Sequence, residues 1–185
     1  KTVTLREWRV ILFQIISALV VIQEKYPGFR HNDLKANNVL VHKIQKTKKN
    51  NKFLYKINGQ KYIIPNIGFQ IKLWDFDFAC IPGLVDNSKV DADWTNTINI
   101  KPEQHRYYDV HYFFNTLTRK GFFNEFWTHD TVPNTIREFV KRIIPEKFRK
   151  GKYVSERGRL LSTEEYLTPD QILKNDPLFK VMRIK

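Results

Sequence analysis

Hydrophobic residues near the start of the chain recur at the spacing of an amphipathic helix. Six of them alternate at intervals of four and three positions, which places them on one helical face: Trp8, Leu12, Ile15, Leu19, Ile22 and Tyr26. Thr4 followed by Glu7 is a capping-box pattern, and Pro27-Gly28 ends the periodic run. The pattern predicts a helix over residues 5–26.

Short apolar runs after this helix predict strands. Four runs have strand character, at residues 39–41, 53–57, 60–64 and 69–74. The middle two flank Asn58-Gly59, and both of these residue types tolerate the positive φ of a tight turn, so this pair of runs predicts a hairpin. The last run ends directly on Asp75.

The second half of the chain has mainly helical patterns. From Asp75 to about Lys101 the sequence is polar and typical of a loop, whereas residues 107–117 and 135–144 predict largely buried helices. Residues 168–171 (Thr-Pro-Asp-Gln) combine an N-cap, a proline in the first turn and a capping glutamine. They predict a last short helix that continues through Lys174.

Composition narrows the class of protein. The chain has 185 residues, of which 42% are hydrophobic and 14% aromatic, too many for a disordered chain. No apolar run approaches the ~20 residues that a membrane span needs. Cys80 is the single cysteine and fits a reducing compartment. We therefore expect an intracellular protein, cytoplasmic or nuclear, with no membrane span.

The net charge of +13 raises the question of an anionic partner. Seven lysines and no acidic residue fall between Lys43 and Lys61, and nine basic residues face three glutamates between Arg137 and Arg159. Such fields attract acidic proteins or nucleic acid, but lysine-rich segments are also common as solvated surface. Both interpretations stay open.

Two motifs carry the chemistry of the chain. Residues 31–38 read His-Asn-Asp-Leu-Lys-Ala-Asn-Asn, and residues 74–77 read Trp-Asp-Phe-Asp. Phosphoryl transfer needs a carboxylate that accepts a hydroxyl proton, a cation near the moving phosphate, and oxygen ligands for Mg²⁺. One set of four residues in these motifs supplies all three functions: Asp33, Lys35, Asn38 and Asp75.

Together the motifs resemble the catalytic loop (His-Arg-Asp-Leu-Lys-x-x-Asn) and the Asp-Phe-Gly turn of the eukaryotic-type protein kinase superfamily. The resemblance implies an ATP-dependent, Mg²⁺-dependent kinase with Asp33 as catalytic base and Lys35 at the γ-phosphate. By the same resemblance Asn38 and Asp75 bind Mg²⁺ and so help to hold the nucleotide. His31 and Phe76 would pack the two loops together. Lys35, two residues after the aspartate, is the serine/threonine-kinase choice and implies a protein hydroxyl as substrate.

The resemblance extends over nearly the whole chain. Tyr108-Asp109-Val110 resembles the start of the central helix of the kinase C-terminal lobe, where the aspartate holds the catalytic-loop backbone, and residues 168–179 resemble the end of many kinase domains. It implies one α+β unit over residues 1–185, a mainly helical C-terminal lobe with short β-hairpins around the catalytic loop. A glycine-rich loop and an ATP-anchoring lysine strand do not occur. We therefore expect the N-terminal lobe upstream or in another chain, and this fragment alone to be inactive.

Departures from the kinase pattern point to a divergent member. Asn32 replaces the arginine that pairs with a phosphorylated activation loop, so we expect this loop to be held by packing of Phe78, Ile81 and Trp94 instead. Asp77 replaces the glycine of the metal-binding turn, and residues 101–103 (Lys-Pro-Glu) lie too close to Asp109 for the usual Ala-Pro-Glu motif. The hairpin insertion before Asp75 is similar to that of haspin, which also lacks the Ala-Pro-Glu motif. Divergent kinases of large DNA viruses are similar in lacking this motif. A viral origin would make a virion location compatible with the sequence.

Two alternatives compete with a serine/threonine kinase. Small-molecule phosphotransferases of the aminoglycoside or choline kinase type use a similar loop, and Asp75-Phe76-Asp77 suits them, whereas Lys35 and the ending at residues 168–179 favour a protein kinase. A pseudokinase scaffold is the second alternative, and the complete set of acidic and amide residues argues against it. For a kinase with this charge we expect a protein substrate that is acidic or associated with nucleic acid.

Overall fold

The computed structural model describes residues 2–98, 100 and 105–184, which form six α-helices and five short strands. The helices are α1 (Leu5–Lys25), α2 (Ser88–Asp91), α3 (Tyr107–Leu117), α4 (Asn134–Ile143), α5 (Pro169–Asn175) and α6 (Pro177–Lys180). The strands are β1 (Val39–Lys43), β2 (Lys52–Ile57), β3 (Gln60–Pro65), β4 (Phe69–Leu73) and β5 (Arg183–Ile184). Short 3₁₀ segments span Ala36–Asn38, Asp93–Ile98 and Glu146–Phe148. The expected α+β class is confirmed.

Helix α1 is the longest element, and the sequence predicted it within one residue. Thr4 and Glu7 form the capping box, in which each side chain bonds to the other residue's backbone N–H. The buried face of α1 is wider than the predicted stripe, because both β4 and α5 pack against this helix. Phe13, outside that stripe, is fully buried against Tyr62 of β3, with ring centroids 5.1 Å apart.

The strands form two small antiparallel sheets rather than one. Strand β1 pairs with β4, and the second sheet has the order β2-β3-β5. The hairpin between β2 and β3 is confirmed, since Asn58 and Gly59 take φ values of 45° and 77° in its turn. The two-residue strand β5 was not predicted, because it is too short to show any alternation of its own.

The segment after Asp75 is more ordered than predicted. Helix α2 and the 3₁₀ segment Asp93–Ile98 lie in the stretch expected to be a loop. Asn87 caps α2 by accepting a hydrogen bond from the Lys89 backbone N–H at 3.0 Å. Four-residue helices of this kind are too short for periodicity to reveal. The Lys-Pro-Glu stretch at residues 101–103 lies outside the described residues.

Helix α3 lies at the centre of the core. Its first ten residues are all buried, including the polar Asp109, His111 and Asn115. The predicted bounds of α3 are confirmed, those of α4 are shifted by one residue, and α5 has the predicted capping box between Thr168 and Gln171. Within the described residues, no helix combines the length and apolar character that a membrane crossing requires.

Acid should destabilise the fold through His111. Burial lowers the pKa of His111 from 6.5 to about 4, although the Phe148 carbonyl that bonds its Nε2 at 2.6 Å opposes the shift. A base with a lower pKa in the folded state binds protons more readily when the chain unfolds, so the free energy of unfolding should fall between about pH 6.5 and pH 4. The full loss is on the order of 3 kcal/mol. Urea unfolding at several pH values measures it.

Replacing His111 by Gln should weaken the dependence of the free energy of unfolding on pH, that is, flatten its slope. The glutamine amide can still donate to the Phe148 carbonyl but does not titrate. Part of the slope should remain, since burial also lowers the pKa of His105. The matched control is His42→Gln, which makes the same chemical change on the exposed surface of β1. An equal slope in wild type and His111→Gln would rule out His111 as the source.

Candidate active site

The loop at residues 31–38 is held by a buried carboxylate of helix α3. Asp109 is fully buried and accepts hydrogen bonds from the backbone N–H of His31 at 2.8 Å and of Asn32 at 2.9 Å. Asn32 has a φ of 62°, a left-handed conformation that asparagine tolerates better than most residues. That conformation lets two successive N–H groups meet one carboxylate. The expected contact between Asp109 and this loop is confirmed.

Three of the four predicted site residues meet around the Asp33 carboxylate. Lys35 Nζ lies 2.7 Å from Asp33 Oδ2. The side-chain amide of Asn38 donates to the same Oδ2 at 3.1 Å and to the Asp33 backbone carbonyl at 2.8 Å. The 3₁₀ turn Ala36–Asn38 brings Asn38 back over Asp33 in this way. The Asp33 side chain is only 9% exposed, whereas that of Lys35 is 27% exposed and reaches solvent.

Arg159 is a further member of this cluster that the sequence did not reveal. Its guanidinium donates to Asp33 Oδ1 at 2.8 Å, to the backbone carbonyl of Asn32, and to the Tyr108 hydroxyl at 3.2 Å. It also stacks over the Tyr112 ring at 4.1 Å. Sequence analysis counted Arg159 among a basic surface cluster, but its side chain is 5% exposed. A single arginine in the sequence gives no sign that its side chain is buried. No local sequence pattern would have identified Arg159 as a residue of the site.

Burial and neighbouring groups shift the pKa values of Arg159 and Tyr108. Burial alone would lower the pKa of Arg159, but Tyr108, Tyr112 and Asp33 more than offset it and leave it raised. Burial raises the pKa of Tyr108 to about 12, against the opposing effect of Arg159. The Tyr108 hydroxyl therefore stays neutral and accepts from a permanently charged guanidinium.

Asp75 lies two residues past the end of β4, and the preceding residue, Trp74, is bonded to the loop that carries this cluster. The backbone N–H of Trp74 donates to the Asn38 carbonyl at 2.9 Å, which extends the β1–β4 pairing up to the site. His31 Nε2 bonds the Trp74 carbonyl at 3.0 Å, and the His31 ring packs on Phe76 with centroids 4.9 Å apart. The predicted packing of the two loops through His31 and Phe76 is confirmed.

The oxygens of Asn38 and Asp75 fit a hard divalent cation. The Asn38 amide nitrogen is used on Asp33, which leaves Oδ1 as the group able to bind a ligand. Asp75 is exposed, and its carboxylate has no hydrogen-bond or ion-pair partner among the described residues. Its φ of 59° turns the backbone sharply as the strand ends. In the described part of the chain, no group of three or more His, Cys, Asp or Glu residues is placed to hold a metal ion. Mg²⁺ suits this set, because it takes few protein ligands and completes its shell with phosphate and water oxygens.

The segment after Asp75 is anchored to the loop through Asn32. The Asn32 side-chain amide donates to the Phe78 carbonyl at 2.9 Å and approaches Cys80 Sγ at 3.5 Å. Phe78 packs edge-on against Trp94 with ring centroids 5.8 Å apart, but Trp94 stays 51% exposed, whereas Ile81 packs against the main core. The Thr95 hydroxyl is buried and donates within the segment, to the carbonyl of Val90 at 2.7 Å. A neutral asparagine therefore bonds the segment directly.

Comparison with known proteins gives consistent results. Residues 3–163 match the family described as poxvirus serine/threonine protein kinase. A protein of Acanthamoeba polyphaga mimivirus named as a putative serine/threonine-protein kinase is 48% identical over 98% of the chain, and the match covers 39% of that relative. A second mimivirus protein of the same designation is 36% identical over 48% of the chain and 22% of its own length. A protein of Invertebrate iridescent virus 6, named as a probable kinase of this type, is 43% identical over 35% of the chain and 12% of its own length.

The chain thus spans about two fifths of the length of the mimivirus relative that matches nearly all of it. The family match contains every predicted site residue, and it also contains Asp109 and Arg159. The expected likeness to kinases of large DNA viruses is confirmed. On this match and on the arrangement of the two loops, the chain belongs to the poxvirus serine/threonine protein kinase family.

Proposed function

We propose that this chain is the catalytic-loop portion of an ATP-dependent protein serine/threonine kinase. The observation that carries the proposal is the Asp33 carboxylate, bonded to Lys35 at 2.7 Å and to Asn38 at 3.1 Å on a loop fixed by Asp109. These are the groups that transfer of a γ-phosphate to a hydroxyl requires. Membership of a family of viral serine/threonine kinases supports the same reaction.

In the proposed mechanism each residue has one task. Asp33 accepts the proton of the substrate hydroxyl. At the same time the hydroxyl oxygen bonds to the γ-phosphorus of ATP, and the bond between this phosphorus and the leaving oxygen of ADP breaks. Lys35, whose ammonium is partly exposed beside Asp33, is placed to neutralise the γ-phosphate oxygens. Asn38 and Asp75 would hold Mg²⁺, which when bound neutralises charge on the β- and γ-phosphate oxygens.

The remainder of the nucleotide site is proposed to come from an N-terminal lobe, upstream or in another chain. An open groove of about 440 Å³ lies between α1 and β4 and ends at Phe76. Its rim includes large exposed apolar residues, with Val21 at 52% and Phe76 at 46% of full exposure. Apolar surface of this kind beside a site is typical of a face that another unit covers. Residues 1–185 are thus proposed to form one lobe of a two-lobed enzyme.

A protein hydroxyl is favoured over a small-molecule substrate. The turn Asp75-Phe76-Asp77 would suit a small-molecule phosphotransferase, but the end of the chain at residues 168–179 resembles the end of many protein kinase domains. Lys35 is also the residue expected of a serine/threonine kinase. Phosphate transfer from ATP to a basic protein, an acidic protein, an aminoglycoside and choline, assayed side by side, separates the two classes.

Asp33→Asn in the complete protein tests the assignment of the base. Asparagine keeps the size of the side chain but cannot accept the proton, so kcat should fall about 10²- to 10⁴-fold while the affinity for ATP changes little. Steady-state kinetics together with an ATP-binding measurement give the two quantities. If ATP affinity collapses and the residual kcat is unchanged, Asp33 is a binding residue.

Asp75→Ala in the complete protein tests the metal site. Losing one of two protein ligands should abolish Mg²⁺-dependent phosphate transfer, because few other protein oxygens are available to the ion. Titrating activity against Mg²⁺ for wild type and variant measures the effect, and Asp77→Ala is the matched control from the same turn. Full turnover by Asp75→Ala, or undiminished wild-type activity in EDTA, would remove the metal from the mechanism.

The basic hairpin region, residues 43–61, is proposed to favour a protein substrate that is acidic or associated with nucleic acid. All seven of its lysines are exposed: Lys43, Lys46, Lys48, Lys49, Lys52, Lys56 and Lys61. Lys56 of β2 lies directly opposite Lys61 of β3, and like charges in that position repel each other. An anionic partner would relieve this repulsion. The same region is inserted between the two site motifs.

Charge-neutral replacement of Lys46, Lys48, Lys49 and Lys52 by Gln tests this surface. Binding of a single-stranded oligonucleotide and of a polyglutamate peptide should weaken, and for the oligonucleotide the slope of log affinity against log salt should fall by about one per lysine that contacts a phosphate. A variant with four other exposed lysines changed to Gln controls for net charge: Lys25, Lys120, Lys152 and Lys180. Equal losses in the two variants would mean that the region is only solvated surface.

A further inference from the structure

We propose that Arg159 is a positioning residue that holds Asp33 in its working orientation. The inference rests on the proposed kinase function and names a further residue of that site. The cation expected from the kinase pattern is absent at Asn32. Arg159, which follows Asp33 by 126 positions, supplies a cation to the same loop.

The contacts around Asp33 divide between its two carboxylate oxygens. Arg159 bonds Oδ1, whereas Lys35 and Asn38 bond Oδ2. Rotation of the carboxylate would break bonds on both sides, so these donors fix its plane. Lys35 also has a proposed task at the phosphate, which leaves Arg159 as the buried partner dedicated to Asp33. Its second bond, to the Asn32 carbonyl, ties the side chain of Asp33 to the backbone of the loop.

A tight turn delivers Arg159 to this position. Gly158 has a φ of 85°, and its carbonyl accepts a hydrogen bond from the Asn115 amide at 2.9 Å. Arg119 bonds the Glu156 carbonyl at 2.8 Å, and the backbone N–H of Arg159 donates to the Ser155 hydroxyl at 3.0 Å. Asn115 and Arg119 belong to or directly follow α3, the helix whose Asp109 holds the catalytic loop. The catalytic loop and the turn that carries Arg159 are therefore both held by the end regions of the same helix, α3.

The chemistry of the pocket suits a permanent cation rather than a switchable one. The Arg159 side chain is 5% exposed, and its charge is balanced by Asp33 and by the face of the Tyr112 ring. Removing one partner of such a buried pair leaves the other charge uncompensated. A phosphate-dependent site has this imbalance until it is phosphorylated and gains order when the phosphate arrives. Here the balance exists within the unmodified chain.

The test is a double-mutant cycle in the complete protein, with phosphate transfer as the readout. Arg159→Met should lower kcat about 10²-fold, the usual cost of misplacing a catalytic group by about 1 Å, while KM for ATP stays the same. In the Asp33→Asn background the same substitution should have little further effect, because a residue that acts through Asp33 has nothing left to position. A purely structural role predicts the same fold loss in both backgrounds.

Arg142→Met is the matched control, because Arg142 forms a two-bond pair with Asp176, with both distances 2.9 Å, away from the site. It should lower stability and leave kcat unchanged. If Arg159→Met does not fold, Arg159→Lys runs the same cycle, since an ammonium keeps the charge but cannot bond Asp33 and the Asn32 carbonyl as a fork. Wild-type kcat in a folded Arg159 variant, or equal losses in both backgrounds, would overturn the inference. Wild-type protein that transfers no phosphate would instead remove the proposed function, and this inference with it.

Discussion

The site depends on one interaction, the buried Asp109 carboxylate that accepts two successive backbone N–H groups. Bonds from neutral donors to an ionised acceptor are stronger than ordinary amide bonds, and here both lie out of contact with water. They offset the strain of the left-handed Asn32 and set where Asp33 leaves the backbone. Without the carboxylate, two buried N–H groups would lose their partner, at a cost of about 1–3 kcal/mol each. The geometry of the loop is therefore fixed by helix α3 and not by the loop residues alone.

Charges of opposite sign alternate around this loop. Asp33 and Asp109 are buried near Arg159 and Arg30, and each acid has a cation near it. Burial lowers the pKa of Arg30, and the nearby Asp109 is the main influence opposing that shift. In a low-dielectric interior an unbalanced charge would cost far more than at the surface. The loop thus has nearly neutral surroundings, and the charges that remain open to solvent, those of Lys35 and Asp75, are the ones proposed to meet the nucleotide.

The features that sequence predicted are those fixed by local physics. A capping box and a 3.6-residue period determined α1 within one residue, and Asn58-Gly59 determined the hairpin turn. The four candidate site residues came from two short motifs whose spacing alone carries the signal, although their roles stay predictions. Arg159 could not be found this way, because its burial depends on a turn held by α3 and on a partner 126 positions earlier. For the same reason the basic cluster that included it was interpreted as surface, while the lysines of the hairpin region are exposed as expected.

The turn at residues 75–77, which is proposed to bind metal, shows how a departure from the kinase pattern is accommodated. Glycine in the third position would make the turn flexible, and Asp77 removes that freedom. The Asn87 side-chain amide bonds the carbonyls of Asp77 and Ala79, both at 2.9 Å, and so closes the turn from the outside. The Asp77–Lys89 pair adds little, because both side chains are more than half exposed to water. Since Asn87 also caps α2, the turn and the following segment form one hydrogen-bonded unit, and Asp75 at its start takes the positive φ. Hydrogen bonds from neutral side chains therefore order this segment. The Asn87 amide bonds the carbonyls of Asp77 and Ala79, and the Asn32 amide bonds the carbonyl of Phe78 between them.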